Sequence, residues 1–102
     1  TGKNNFWIAI NKGNQVIGTC GGLQQTEDTI KMNCFYINSK YRNLGIGKKL
    51  YNLFIDFAKK ENYKEIILCT FKAFDRAIRF YVERGFKLYE KIEDEFWYKK
   101  QL

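Results

Sequence analysis

The decisive stretch is Ile37-Asn38-Ser39-Lys40-Tyr41-Arg42-Asn43-Leu44-Gly45-Ile46-Gly47-Lys48-Lys49-Leu50. It lies between an apolar, strand-like run and a strongly amphipathic one. Within it, Arg42, Gly45 and Gly47 make an Arg-x-x-Gly-x-Gly turn that opens straight into a helical pattern. Residues 38–52 carry four cations and no acid. Free N–H groups at a helix start, glycines that permit close approach and local positive charge together describe a phosphate cradle. On its own such a turn is a weak signal, because short glycine patterns arise by chance.

Downstream of the turn, Ile46, Leu50, Leu53, Phe54, Phe57 and Ala58 recur at helical spacing and predict one apolar face. Core packing is the expected role of that stripe. Asn62 and Tyr63 mark its end. Upstream, residues 6–10 and 15–20 read as strands about an Asn-Lys-Gly-Asn turn, with Gly21-Gly22 suggesting a bulge or bend. In Thr29–Ile37, Ile30, Met32 and Cys34 alternate with Lys31 and Asn33, and then Cys34-Phe35-Tyr36-Ile37 is apolar throughout. Either both faces become buried there or a bulge resets the alternation.

Glu65–Phe71 is a short apolar run that fits a central strand parallel to Thr29–Ile37, with the helix as crossover. Phe74, Ala77, Ile78, Tyr81 and Val82 predict a second helix, capped by Gly85. Two last strands, 86–92 and 96–102, flank the acidic Glu93-Asp94-Glu95 turn. The order is β-β-β-α-β-α-β-β, a mixed α/β (α+β) domain over residues 1–102, with residues 1–5 expected to fray.

The chain has 102 residues, enough for one core, and a formal net charge of +7. Residues 1–51 hold seven cations and two acids, so the excess lies mainly in the half that contains the glycine turn. That balance favours an anionic partner. Histidine is absent, which excludes imidazole-based triads and the common Cys/His zinc sites. Cys20, Cys34 and Cys69 are far apart in apolar runs and fit buried thiols in a reducing cytoplasm. No apolar run reaches membrane-spanning length.

The ordered set of strand, Arg42-x-x-Gly45-x-Gly47 turn, long helix, buried strand and Ala77-Ile78-Arg79-Phe80-Tyr81-Val82-Glu83-Arg84-Gly85-Phe86 resembles the GNAT superfamily of N-acetyltransferases. Arg42, Gly45 and Gly47 match that family's acyl-CoA motif. Ala77, Phe80, Tyr81, Gly85 and Phe86 match its later motif.

The resemblance implies a mostly antiparallel sheet whose two central parallel strands splay for acetyl-CoA. It implies that Arg42, Asn43, Leu44, Gly45, Ile46, Gly47 and Lys48 hold the diphosphate. Phe35 and Ile37 would pair with the pantetheine arm, and Cys69 and Thr70 would line its other side. Tyr81 would protonate the leaving thiolate, and a neutral amine would attack the thioester directly, its oxyanion held by backbone donors near Ile37. No metal is called for. The acceptor, a small amine or amino acid, is left open.

Three positions depart from the family pattern. Phe74 stands where an asparagine is frequent, Lys31 where some relatives carry a general base, and the strand and helices usual before Phe6 are missing. The chain is therefore expected to be a minimal member or part of a longer one, and its bare edge strands leave a homodimer open. Two other readings compete. One is a non-catalytic acyl-CoA-binding or partner-binding module. The other is a basic nucleic-acid-binding domain using Trp7, Tyr41 and Trp97, which the motifs do not favour.

Overall fold

The computed structural model describes residues 4–102. Residues 1–3, part of the stretch expected to fray, lie outside them. The elements run β1 (Asn5–Ile10), β2 (Val16–Gln24), β3 (Thr29–Ile37), α1 (Ile46–Lys60), β4 (Glu65–Phe71), α2 (Asp75–Glu83), β5 (Lys87–Ile92) and β6 (Glu95–Gln101). A single 3-10 turn, Ser39–Tyr41, lies between β3 and the glycine turn. The six strands form one sheet in the order β1-β2-β3-β4-β6-β5. All neighbours are antiparallel except β3 and β4, which are parallel. This is the mixed α/β domain expected from the element order, with the mostly antiparallel sheet that the family resemblance implies.

Strand alternation explains where the core sits. Ile30 and Met32 of β3, Ile66 and Leu68 of β4, and Tyr98 of β6 are buried on the face that receives the helices. Leu50, Tyr51, Phe54 and Ala58 of α1 and Tyr81 of α2 complete that core. Trp7 sits edge-on to Phe54 and Phe57, with ring centroids 6.1 and 5.4 Å away. The helical stripe is rotated slightly from its sequence reading. Tyr51 is buried, whereas Leu53 is 49% exposed. Phe74, just before α2, and Val82 within it are exposed, and Phe80 turns inward instead. The inward aromatics follow from neighbours that no local spacing encodes, since Tyr51 meets Phe80 and Phe86 edge-on.

β2 runs unbroken through Gly21 and Gly22, which pair with Asn33 and Met32. The bend expected there belongs to the partner strand. The glycines serve close packing instead: a Cβ on Gly22 would lie 2.9 Å from Ile30 Cδ1 and 3.0 Å from Phe54 Cε1. Opposite Cys20, β3 carries one residue too many, and Cys34 takes φ 52°. The bulge resets the alternation, so Met32 is buried, Cys34 exposed and Phe35 turned toward the helices.

Phe54 is fully buried between sheet and helix while Leu53, its neighbour, is half exposed. Phe54→Ala is expected to cost about 3–5 kcal/mol by loss of burial plus a cavity. Leu53→Ala is expected to cost less than about 1.5 kcal/mol. Urea denaturation of the two variants checks the difference.

Candidate functional site

β3 and β4 pair over three residues only: Thr29 with Glu65, Ile30 with Ile66 and Lys31 with Ile67. Beyond Lys31 the two strands are no longer paired. The opening leads to a groove of about 900 Å³. Phe35, Ile37, Arg42, Asn43, Gly45, Ile46, Gly47 and Lys48 line it on one side. Phe74, Arg76, Phe80, Tyr81 and Arg84 line it on the other.

The turn is built from local interactions. Asn38 Oδ1 accepts from Lys40 N–H at 3.0 Å and starts the 3-10 turn. Asn43 and Gly45 take left-handed conformations, with φ 67° and 81°. The second suits glycine, which has no Cβ to strain it. α1 then begins without a side-chain cap and without an acid in its first turn. Its first intrahelical bond runs from Lys49 N to Gly45 O. The N–H groups of Ile46, Gly47 and Lys48 therefore have no carbonyl partner within the helix. They sit at the positive end of the helix dipole beside exposed Lys48. Gly47 packs under this end, where a Cβ would already touch Ile37 and Phe35 at 3.5 and 3.7 Å.

Arg42 turns back on its own strand. Its Nε donates to the Ile37 carbonyl at 3.3 Å. That carbonyl, expected to face an extended ligand, thus already has a partner. Leu44 is 66% exposed and does not line the groove. Cys69 and Thr70 do not line it either. Thr70 is buried on the helix-bearing face of β4, and Cys69 points to the opposite face, paired across from Trp97.

Tyr81 stands at the inner end of the groove, 7% exposed, between Phe35 and Phe86. Burial, and secondarily Cys20 nearby, push its phenol well above the usual range. The group therefore keeps its proton at neutral pH. It is available as a hydrogen-bond donor.

Several lining residues escaped the sequence reading. Arg76 Nη2 donates to Asn43 Oδ1 at 3.1 Å and ties the start of α2 to the glycine turn. Arg84 lies flat on the Phe80 ring, its Cζ 3.5 Å from the centroid, while its own Nη1 donates to the Phe80 carbonyl. Both arginines fall within or beside the later motif, and that adjacency was the available signal. Phe74 forms the rim of the groove, edge-on to Phe71 at 5.7 Å. Trp7 and Trp97 project from opposite faces of the sheet, so they cannot form one stacking platform with Tyr41. No helix among the described residues is long and apolar enough to cross a membrane.

Comparison with known proteins bears on this geometry. The acetyltransferase (GNAT) family profile matches residues 1–86. The N-acetylaspartate synthetase of Danio rerio is 31% identical over 90 residues, which is 87% of this chain and 32% of that protein. The chain thus spans about a third of that relative's length. A GNAT-family acetyltransferase from Staphylococcus aureus Mu50 superposes with TM-score 0.88 at 29% identity, covering 97% of this chain and 68% of the other. The PaiA N-acetyltransferase of Thermoplasma acidophilum, in complex with coenzyme A, shares the fold with TM-score 0.88 at 21% identity, covering 97% and 61%.

Burial also pushes the Cys20 thiol up from 9.0 to about 12, with the neighbouring Cys34 adding to the shift. Cys20 and Tyr81 hold their protons more tightly folded than unfolded. Their stabilising contribution is complete below pH 9, where the unfolded thiol begins to ionise, and is lost as pH rises toward the folded values. Between pH 9 and 11 the stability is expected to fall by about 1.4 kcal/mol per unit from Cys20 alone. Urea denaturation at pH 9 and pH 11 measures the slope. Cys20→Ala should flatten it, whatever its effect at pH 9.

Proposed function

Because the chain belongs to the acetyltransferase (GNAT) family, we propose that it transfers an acetyl group from acetyl-CoA to a primary amine of a small molecule or amino acid. The observation that carries this reading is the acid-free, uncapped start of α1 opening on a groove that ends at a protonated tyrosine. Acetyl-CoA supplies the acetyl group as a thioester: the amine nitrogen forms the new C–N bond, the C–S bond breaks with its electron pair going to sulfur, and the proton lost by the amine ends on that thiolate, so the products are the amide and free CoA thiol.

The chain's own residues take distinct parts. The N–H groups of Ile46, Gly47 and Lys48, with those of Asn43 to Gly45, would hold the diphosphate. The arginines Arg42, Arg76 and Arg84 keep the groove positive without entering the chemistry. Phe35 and Ile37 would flank the pantetheine arm, Ile37 through groups other than the carbonyl held by Arg42, and Cys69 and Thr70, outside the groove lining, would face the arm only from the backbone of β4. The Tyr81 hydroxyl would donate its hydrogen bond to the departing sulfur. Metal chemistry has no part in this scheme. That solved relatives are described with coenzyme A or acetyl-CoA bound supports the choice of donor.

Phe74 favours a second reading, a non-catalytic acyl-CoA-binding module. It puts an apolar ring on the groove rim where the family pattern has an amide. Tyr81→Phe separates the two. On the transferase reading it lowers kcat about 100-fold with little change in the KM for acetyl-CoA. Acetyl-CoA binding without CoA release from any of a panel of amines would establish the module instead.

The cradle has its own test. An acid near a helix N-terminus stabilises the helix, so Lys48→Glu should leave the melting temperature unchanged or slightly raised. The same change should weaken acetyl-CoA binding about 10-fold through repulsion of the diphosphate. Calorimetric titration with acetyl-CoA checks this, and equal affinity in both proteins would remove the diphosphate from this turn.

A further inference from the structure

A second pocket, of about 340 Å³, lies beside the groove, and Arg84 lines both. One flank of α1 supplies Tyr51, Asn52 and Lys59, the residue after α2 is Arg84 itself, and the end of β6 supplies Lys100 and Gln101. No acidic side chain lines this pocket. The partition between pocket and groove is a cation stacked on aromatic rings. Arg84 Cζ sits 3.5 Å from the Phe80 ring centroid and 5.6 Å from that of Tyr51. Phe80 in turn lines the groove beside Tyr81.

The positive charge here exceeds what the fold itself satisfies. Arg84 Nη1 donates to the Phe80 carbonyl at 3.0 Å, and Lys100 Nζ donates to the Arg84 carbonyl. Both cations thus serve the open carbonyls at the end of α2. Lys59 stands in the last turn of α1. A helix C-terminus carries about half a negative charge, so two such ends offset about one of the three positive charges and leave roughly two. Carboxylates do not supply the rest. The one ion pair among the described residues joins Lys64 to Asp28. Glu65 accepts from Gln101 Nε2 at 2.6 Å but does not line the pocket. Asp56 and Glu83, the acids nearest in sequence to Lys59 and Arg84 on the two helices, do not line it either. A guanidinium and an ammonium each offer several donors, and one of each is committed among the described residues. Tyr51 adds a phenol that burial holds protonated, against the opposing influence of Arg84. Three elements therefore turn donors toward one small space.

We propose that this pocket is a second anion site that takes a phosphate group, as free phosphate or as a small phosphate ester, and that its occupancy weakens acetyl-CoA binding through Arg84. A phosphate presents acceptor oxygens in a tetrahedral array, which suits charged donors converging from different directions. The coupling follows from the shared arginine. An anion in the pocket draws on the same guanidinium charge that keeps the groove positive. Coupling between two binding sites is reciprocal, so acetyl-CoA weakens phosphate by the same factor. The coupling rests on acetyl-CoA occupying the groove, as the transferase reading has it, whereas the pocket stands without that reading.

Calorimetric titration of the full chain with sodium phosphate, at ionic strength held constant with chloride, tests the site. Phosphate should bind with a dissociation constant of about 1 mM or lower. Lys59→Gln alters an exposed residue outside the groove, and should weaken phosphate about 5-fold with little change in melting temperature. Glucose 6-phosphate run in parallel distinguishes the sources: tighter binding than phosphate assigns the site to an ester, and weaker binding assigns it to the free ion. Acetyl-CoA titrated at rising phosphate should lose about 5-fold in affinity and then level off. Phosphate that only displaced the diphosphate from the glycine turn would weaken acetyl-CoA without limit, and equally in Lys59→Gln. That result, no measurable phosphate binding, or equal phosphate affinity in wild type and Lys59→Gln overturns the proposal and leaves the transferase reading intact. Phosphate binding that depends on Lys59, with no binding of acetyl-CoA, upholds the pocket and removes both the coupling and the transferase reading.

Discussion

One surplus residue in β3 governs the geometry of the whole site. Opposite Cys20 the strand carries Cys34 and Phe35 where one residue would suffice, and Cys34 adopts a left-handed conformation to absorb the excess. The Thr19 hydroxyl donates to the Cys34 carbonyl and fixes the distortion to β2. Because β3 bends toward its antiparallel neighbour, it parts from its parallel one. A continuous ladder would have sealed the sheet through its centre. The bulge instead leaves unsatisfied strand edges in the middle of a compact domain, a cost that persists only where something is bound to satisfy them.

The other half of the site depends on electrostatics that helices ordinarily avoid. Most helices neutralise their first turn with a capping side chain or an acid. α1 has neither, and Lys48 makes its start more positive still. The helix is retained because its far side is anchored by Leu50, Tyr51, Phe54 and Ala58 in the core. Packing energy from one face thus maintains an uncompensated field at the end of the other. The Arg76–Asn43 bond adds a link from α2, so the two halves of the groove are held in register.

Much of this was legible in the sequence. The glycine turn and the apolar stripes were enough for the element order and the crossover, while the apolar Cys34–Ile37 run posed a buried double face against a bulge, and strand pairing decided for the bulge. What local spacing could not supply was anything set by distant neighbours. Tyr51 turned inward because Phe80 and Phe86 wait there, and Leu53 turned out because nothing covers it. Gly21-Gly22 looked like a bend but marks tight packing against Phe54, Ile30 and Asn33. At the site, the turn residues 42–48 could be named from the motif. The partners of the Ile37 carbonyl and of Asn43 could not, since both are long side chains folded back over the groove. Lys31 was visible as a departure. Its position over Trp97 became visible only once β3, β4 and β6 lay side by side.

The two tryptophans give this small domain a pair of built-in optical reporters. Trp7 is wedged against Phe54 and Phe57, so its emission follows the integrity of the helix–sheet core. Trp97 lies on the opposite face beneath a lysine ammonium, so its ring is placed to sense changes in charge at the sheet surface. Replacing either one by phenylalanine would leave a single-colour protein that reports unfolding alone or surface occupancy alone. The chain thus distinguishes, without any added label, between losing its structure and changing what sits on it.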